Sequence, residues 1–91
     1  MPAPVWRVEF DPAAVRDLRK LGSEAERQIL RYVRQRIATA DNPRRFGKAL
    51  TADKKGLWRY RVGDYRIVAL IEDDRFVVLV VTIGHRREVY R

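Results

Sequence analysis

Residues 57 to 72 read LWRYRVGDYRIVALIE: two alternating stretches joined by Gly63-Asp64. A two-residue, glycine-containing joint between alternating segments is a strong hairpin signal. With Gly63-Asp64 as the loop, Val62 faces Tyr65, Arg61 faces Arg66, Tyr60 faces Ile67 and Arg59 faces Val68. Side chains directly opposite lie about 5 Å apart on one face. Trp58, Tyr60, Val62, Tyr65 and Ile67 thus share a face suited to core packing. Arg59, Arg61 and Arg66 share the other. Two readings of that second face stand: the solvated side of a half-buried sheet, or an anion site. A solvated surface ordinarily mixes acids among its bases, and here the only nearby acid is Asp64 in the turn. Uncompensated arginines two residues apart suit an anion better.

Working outward, the segment FVVLVV at 76–81 predicts a further strand over 75–82, joined through an Asp73-Asp74 turn. Both of its parities are apolar, which places it centrally in the sheet. Toward the N-terminus, VWRVEF at 5–10 alternates and predicts a first strand. Asp11-Pro12 opens a helix, the acid capping free amides and the proline fitting the first turn. Ala14, Leu18 and Leu21 keep helical spacing to Gly22, which ends it. Ser23 with Glu26 forms the pattern of a capping box for a second helix. That helix carries Ile29, Leu30, Val33 and Ile37 as its apolar stripe and runs to about Ala40. Residues 41–56 read as a loop with room for a short helical turn. They carry Arg44, Arg45, Lys48, Lys54 and Lys55.

The expected fold is therefore α+β: one small domain over 1–91 with the order β-α-α-β-β-β. Its four-stranded sheet is mostly antiparallel, with two N-terminal helices on one face. The side on which the first strand pairs is not fixed by the pattern.

Charge is the main global feature: 20 Lys and Arg against 12 Asp and Glu, a net +8. Sixteen of the twenty are arginine, which favours bidentate phosphate and carboxylate partners. The balance predicts a polyanionic partner, an acidic protein partner, or both. The chain has no cysteine and one histidine, so a disulfide framework is excluded and a zinc or copper site is implausible. Its longest apolar run is far below the roughly 20 residues that cross a bilayer. No signal-peptide pattern is present, so a cytoplasmic location is expected. His85 is the one side chain with an unperturbed pKa near neutrality. In an extended tail, Arg86 and Tyr90 would share one side, with His85 and Arg87 on the other.

Four segments, VEFDPAAVRDLRKL, NPRRFGKAL, GLWRYRVGDYRIVALI and IGHRREVYR, together resemble the RelE/ParE superfamily of toxins, the RelE branch most closely. The resemblance runs in order along nearly the whole chain. It implies a type II toxin–antitoxin toxin, a ribosome-dependent endoribonuclease that cleaves messenger RNA in the A site. The cut is metal-independent and cofactor-free: the 2′-hydroxyl attacks its own phosphodiester. The implied partners are a cognate acidic antitoxin, the ribosome with its message, and operator DNA only through the antitoxin complex. The resemblance carries catalytic roles onto Arg59, Arg61, Arg66, Arg86 and Tyr90, and raises His85 as a proton carrier. Arg44, Arg45, Lys48, Lys54, Lys55 and Arg87 are the expected RNA-binding cations. One departure stands out. The best-known RelE pattern has lysines at the positions of Arg59 and Arg61, and arginine effectively cannot give up a proton. His85, Lys54, Lys55 and Tyr90 are then the candidates for proton transfer. Two alternatives are a ParE-like gyrase inhibitor acting by protein contact, and a degenerate toxin that keeps only antitoxin binding and operon co-repression.

Overall fold

The computed structural model describes residues 4–50 and 56–86. Strand β1 (Arg7–Phe10) leads into helices α1 (Pro12–Leu21) and α2 (Ser23–Tyr32), and the latter continues as a π-helical segment, Val33–Ile37. A 3-10 turn (Pro43–Arg45) precedes a short strand β2 (Lys48–Ala49). Strands β3 (Leu57–Val62), β4 (Tyr65–Glu72) and β5 (Val77–His85) complete a sheet of order β1-β5-β4-β3-β2.

The α+β architecture follows the sequence reading, with one added strand, β2, inside the expected loop. Strand β5 is central, between β1 and β4. The first strand runs parallel to β5 and closes its outer edge, pairing Arg7 through Phe10 with Val77 through Val80.

Local chemistry sets the helix ends. The Asp11 carboxylate accepts from the Ala13 amide at 2.9 Å, and Pro12 stands at the first helical position. The capping box expected at Ser23 does not form. Gly22 itself occupies the cap, with no side-chain bond, and its carbonyl accepts from the Glu26 amide at 3.0 Å. The second helix ends at Ile37 rather than Ala40, because Ala38 leaves helical geometry (φ −79, ψ 59).

Both helices cover one sheet face. Ala14 and Leu18 of α1 and Ala25 and Ile29 of α2 are buried, with Val33 and Ile37 beyond. They meet Tyr60, Val62, Ile67, Ala69, Val78, Val80 and Ile83 from the strands. Asp17, on α1, accepts from the Ile83 amide at 3.1 Å. It satisfies the β5 backbone just past the last residue that β1 pairs, Val80.

Two details of β5 differ from expectation. The Asp73-Asp74 connection is not a two-residue turn. Asp73–Arg75 form a 3-10 turn and Phe76 takes the left-handed conformation (φ 53, ψ 47), so the strand starts at Val77. The strand also holds a bulge. Ala69 pairs with Val80 but Val68 pairs with Thr82, so Val81 is an extra residue. One extra residue reverses the facing of every side chain after it.

Candidate functional site

The sheet face away from the helices carries the cations. The hairpin register is as the sequence predicts: Arg61 pairs with Arg66, Arg59 with Val68, Tyr60 with Ile67 and Val62 with Tyr65. Only the first residue of the Gly63-Asp64 loop has positive φ (57°), as a II′ hairpin turn requires. Tyr60 and Ile67 are fully buried against the helices, so Arg59, Arg61 and Arg66 stand on the opposite surface. Across the sheet, Lys48 pairs with Arg59, and Arg66 pairs on its other side with Gly84. Among the described residues, Gly47, Lys48, Arg59, Arg61 and Arg66 line a single cavity of about 380 Å³.

Lys48 reaches this group through a tight approach of the 41–49 segment to β3. Gly47 has φ +86, and a Cβ there would overlap the Arg59 carbonyl oxygen and crowd the Trp58 indole nitrogen. Only glycine fits such a place without strain. The Trp58 indole N–H donates to the Phe46 carbonyl at 2.8 Å. The Arg36 and Arg45 guanidinium groups lie 4.8 and 4.7 Å from the Phe46 ring centre. These contacts hold the backbone on which Lys48 rides.

Arg66 is oriented by its own turn. Its Nη1 donates to the Gly63 carbonyl at 3.0 Å and to the Tyr65 carbonyl at 2.9 Å. Two of five N–H donors are thus used on neutral acceptors, and the charge stays uncancelled. Among the described residues, no carboxylate pairs with Lys48, Arg61 or Arg66. Like charges opposite each other in a sheet repel. A bound anion converts that repulsion into attraction.

The other expected site residues divide. Arg86 follows β5 directly, and its amide donates to the Asp64 carbonyl at 2.9 Å, tying it to the hairpin loop beside Arg66. His85 is separated from the arginines. It pairs with Tyr65, which pairs with Val62, so all three share the helix-side face, and its ring meets Tyr65 edge-on at 6.3 Å. Arg44 is engaged in a bidentate pair with Asp73 at 2.8 and 2.7 Å, and that bonding holds the Asp73 carboxyl below its usual range. Arg45 pairs with Asp41 at 3.2 Å. Neither lines the cavity. Lys54, Lys55, Arg87 and Tyr90 lie outside the described residues. What sequence reasoning missed is the junction of Lys48 with Arg59. Its one local signal is Gly47, since a glycine often marks a close approach of another backbone.

The family model for the ParE toxin of type II toxin–antitoxin systems matches residues 8–90. The chain belongs to the RelE/ParE toxin family. Toxin RelE of Mycobacterium tuberculosis is 34% identical over 86 residues, covering 94% of this chain and 87% of that one. The toxin–antitoxin complex RelBE2 from the same organism contains a chain of TM-score 0.81 and 27% identity, over 92% of this chain and 94% of its own. E. coli toxin RelE, solved in the free state with two arginines replaced by alanine, gives TM-score 0.77 at 23% identity, over 94% and 88%. That last likeness speaks to the fold. In this RelE/ParE toxin the cationic face is the sheet surface left open by the helices.

Proposed function

We propose that this toxin cleaves messenger RNA on the ribosome, binding the scissile phosphate over the face shared by Lys48, Arg59, Arg61 and Arg66. The observation that carries this reading is the convergence of those four cations on one cavity, with no acid among its described lining. A phosphodiester under attack gains negative charge at its non-bridging oxygens. Cations already in place stabilise that charge without reorganisation. Arg86 adds a fifth from the hairpin end. The 2′-hydroxyl loses its proton as its oxygen bonds to phosphorus. The P–O5′ bond breaks, and the 5′-oxygen takes up a proton. The products are a 2′,3′-cyclic phosphate and a free 5′-hydroxyl. Tyr90, Lys54 or Lys55, in its deprotonated form, accepts the proton. The facing of His85 argues against that role for it.

The partner we propose is a cognate acidic antitoxin. A +8 chain attracts an acidic segment that folds upon it, and a similar chain from M. tuberculosis was solved as a toxin–antitoxin complex. Operator DNA is met only through that complex, in the cytoplasm. The test is expression in a translating extract with mapping of message ends. Cuts at codon positions that vanish with Arg86→Ala support the reading. A second reading, a ParE-like gyrase poison, is favoured by the name of the matching family. Intact messages with gyrase-linked DNA breaks would establish it instead.

A further inference from the structure

We propose that Lys48 is the general acid of the cleavage, giving its ammonium proton to the 5′-oxygen as it leaves; this rests on the nuclease reading above. Among the described residues lining the cavity, Lys48 is the only side chain able to release a proton, because the other three charged ones are arginines. The groups facing it are Arg59 and Arg61 from β3 and Arg66 from β4, all cations. A lysine needs no unusual state to act as a donor, since its charged form already carries the proton.

The order of the strands fits the division of labour. Across the sheet run Lys48 on β2, Arg59 and Arg61 on β3, Arg66 on β4 and then β5. Lys48 stands at one end of this row. At the other end Arg66 pairs with Gly84 of β5, and the Arg86 amide is held by the Asp64 carbonyl of the hairpin loop. In-line displacement places the attacking and leaving oxygens on opposite sides of phosphorus. With the phosphate over the arginines, a leaving oxygen directed toward β2 comes to Lys48, and the attacking hydroxyl is then on the β4–β5 side. The step balances: the 2′-hydroxyl proton passes to the base as the 2′-oxygen–phosphorus bond forms, the P–O5′ bond breaks, the Lys48 proton moves to O5′, and exchange with solvent restores both groups.

Lys48→Arg keeps the charge and removes the transferable proton. It is tested on programmed ribosomes with two synthetic messages, one ordinary and one bearing sulfur in place of the bridging 5′-oxygen at the cut. A thiolate leaves without protonation. On the ordinary linkage Lys48→Arg is expected to be slower than wild type by about 10²-fold or more, the usual contribution of a general acid. On the sulfur linkage its rate returns to within a few-fold of wild type. Wild-type speed on the ordinary linkage, or equal slowing on both, overturns the assignment and leaves Lys48 a phosphate-binding cation. A wild-type toxin that cleaves neither message removes the nuclease reading itself, and this inference with it.

Discussion

Arg61 and Arg66 face each other as direct cross-strand partners in the β3–β4 hairpin, on the sheet surface that no helix covers. A sequence selected for stability alone would place an acid or a threonine at one of the two. Like charges in that relation destabilise by up to about 1 kcal/mol.

Relieving this repulsion is expected to separate stability from activity. Arg61→Thr should raise the melting temperature by up to about 4–8 °C, the shift that 1 kcal/mol produces in a domain of this size. Message cleavage by the same variant should fall sharply. Circular dichroism melts beside a cleavage assay check both. A lower melting temperature would mean that Arg61 stabilises the fold.

Gly47→Ala should uncouple β2 from β3. The left-handed backbone alone costs an alanine about 1–2 kcal/mol, and the new methyl meets the Arg59 carbonyl. Thermal denaturation should register the loss. Hydrogen exchange should show reduced protection at the Leu50 amide, which donates to the Leu57 carbonyl at 3.1 Å. Unchanged protection would show that the segment docks without Gly47.

Tyr60 is fully buried, and its hydroxyl donates to the Pro43 carbonyl at 2.9 Å. Tyr60→Phe leaves that carbonyl without its donor and should cost about 1–3 kcal/mol in denaturant unfolding. Burial, with Tyr32 close by, raises the Tyr60 phenol well above its ordinary value, and burial raises Tyr32 as well. The sign follows. Both phenols stay protonated in the folded chain, while the unfolded chain ionises near pH 10. Their contribution is full below pH 10 and is lost as pH rises from there toward the folded values. Unfolding free energy measured between pH 8 and 11 should decline, and decline less in Tyr60→Phe.

On the acid side, Arg44 holds the Asp73 carboxyl below its usual range. The stability from this pair is present above the ordinary aspartate pKa of about 3.9. It is lost as pH falls toward the lower folded value. Because the Asp73 side chain is 64% exposed, Asp73→Asn should cost less than about 1 kcal/mol at neutral pH. A larger loss in urea titration would show that the pair also holds the Pro43–Arg45 turn in place.

The parts legible in the sequence were those fixed by local rules. Gly63-Asp64 dictates the hairpin register, so the grouping of Arg59, Arg61 and Arg66 is legible in the sequence. The doubly apolar β5 reads as an interior strand, and it is paired on both edges, by β1 and β4. What escaped depends on contacts distant in sequence. Two residues, Lys48 and Ala49, carry no strand period, and they pair only because Gly47 lets the backbone close on β3. The facing of His85 was hidden by the bulge at Val81. Straight alternation from Val80 puts His85 on the open face, and one extra residue turns it to the helix side. The parallel pairing of β1 likewise depends on where the helices return the chain.

The proposed nuclease activity depends on cationic stabilisation of a cleaving phosphodiester at the Arg61–Arg66 pair. The direct measurement is single-turnover cleavage of a message on purified programmed ribosomes, comparing wild type with Arg66→Ala under conditions where both are fully ribosome-bound. A loss of about 10²-fold or more in the cleavage rate, with ribosome binding largely kept, is predicted. Equal cleavage rates for the two proteins would contradict it.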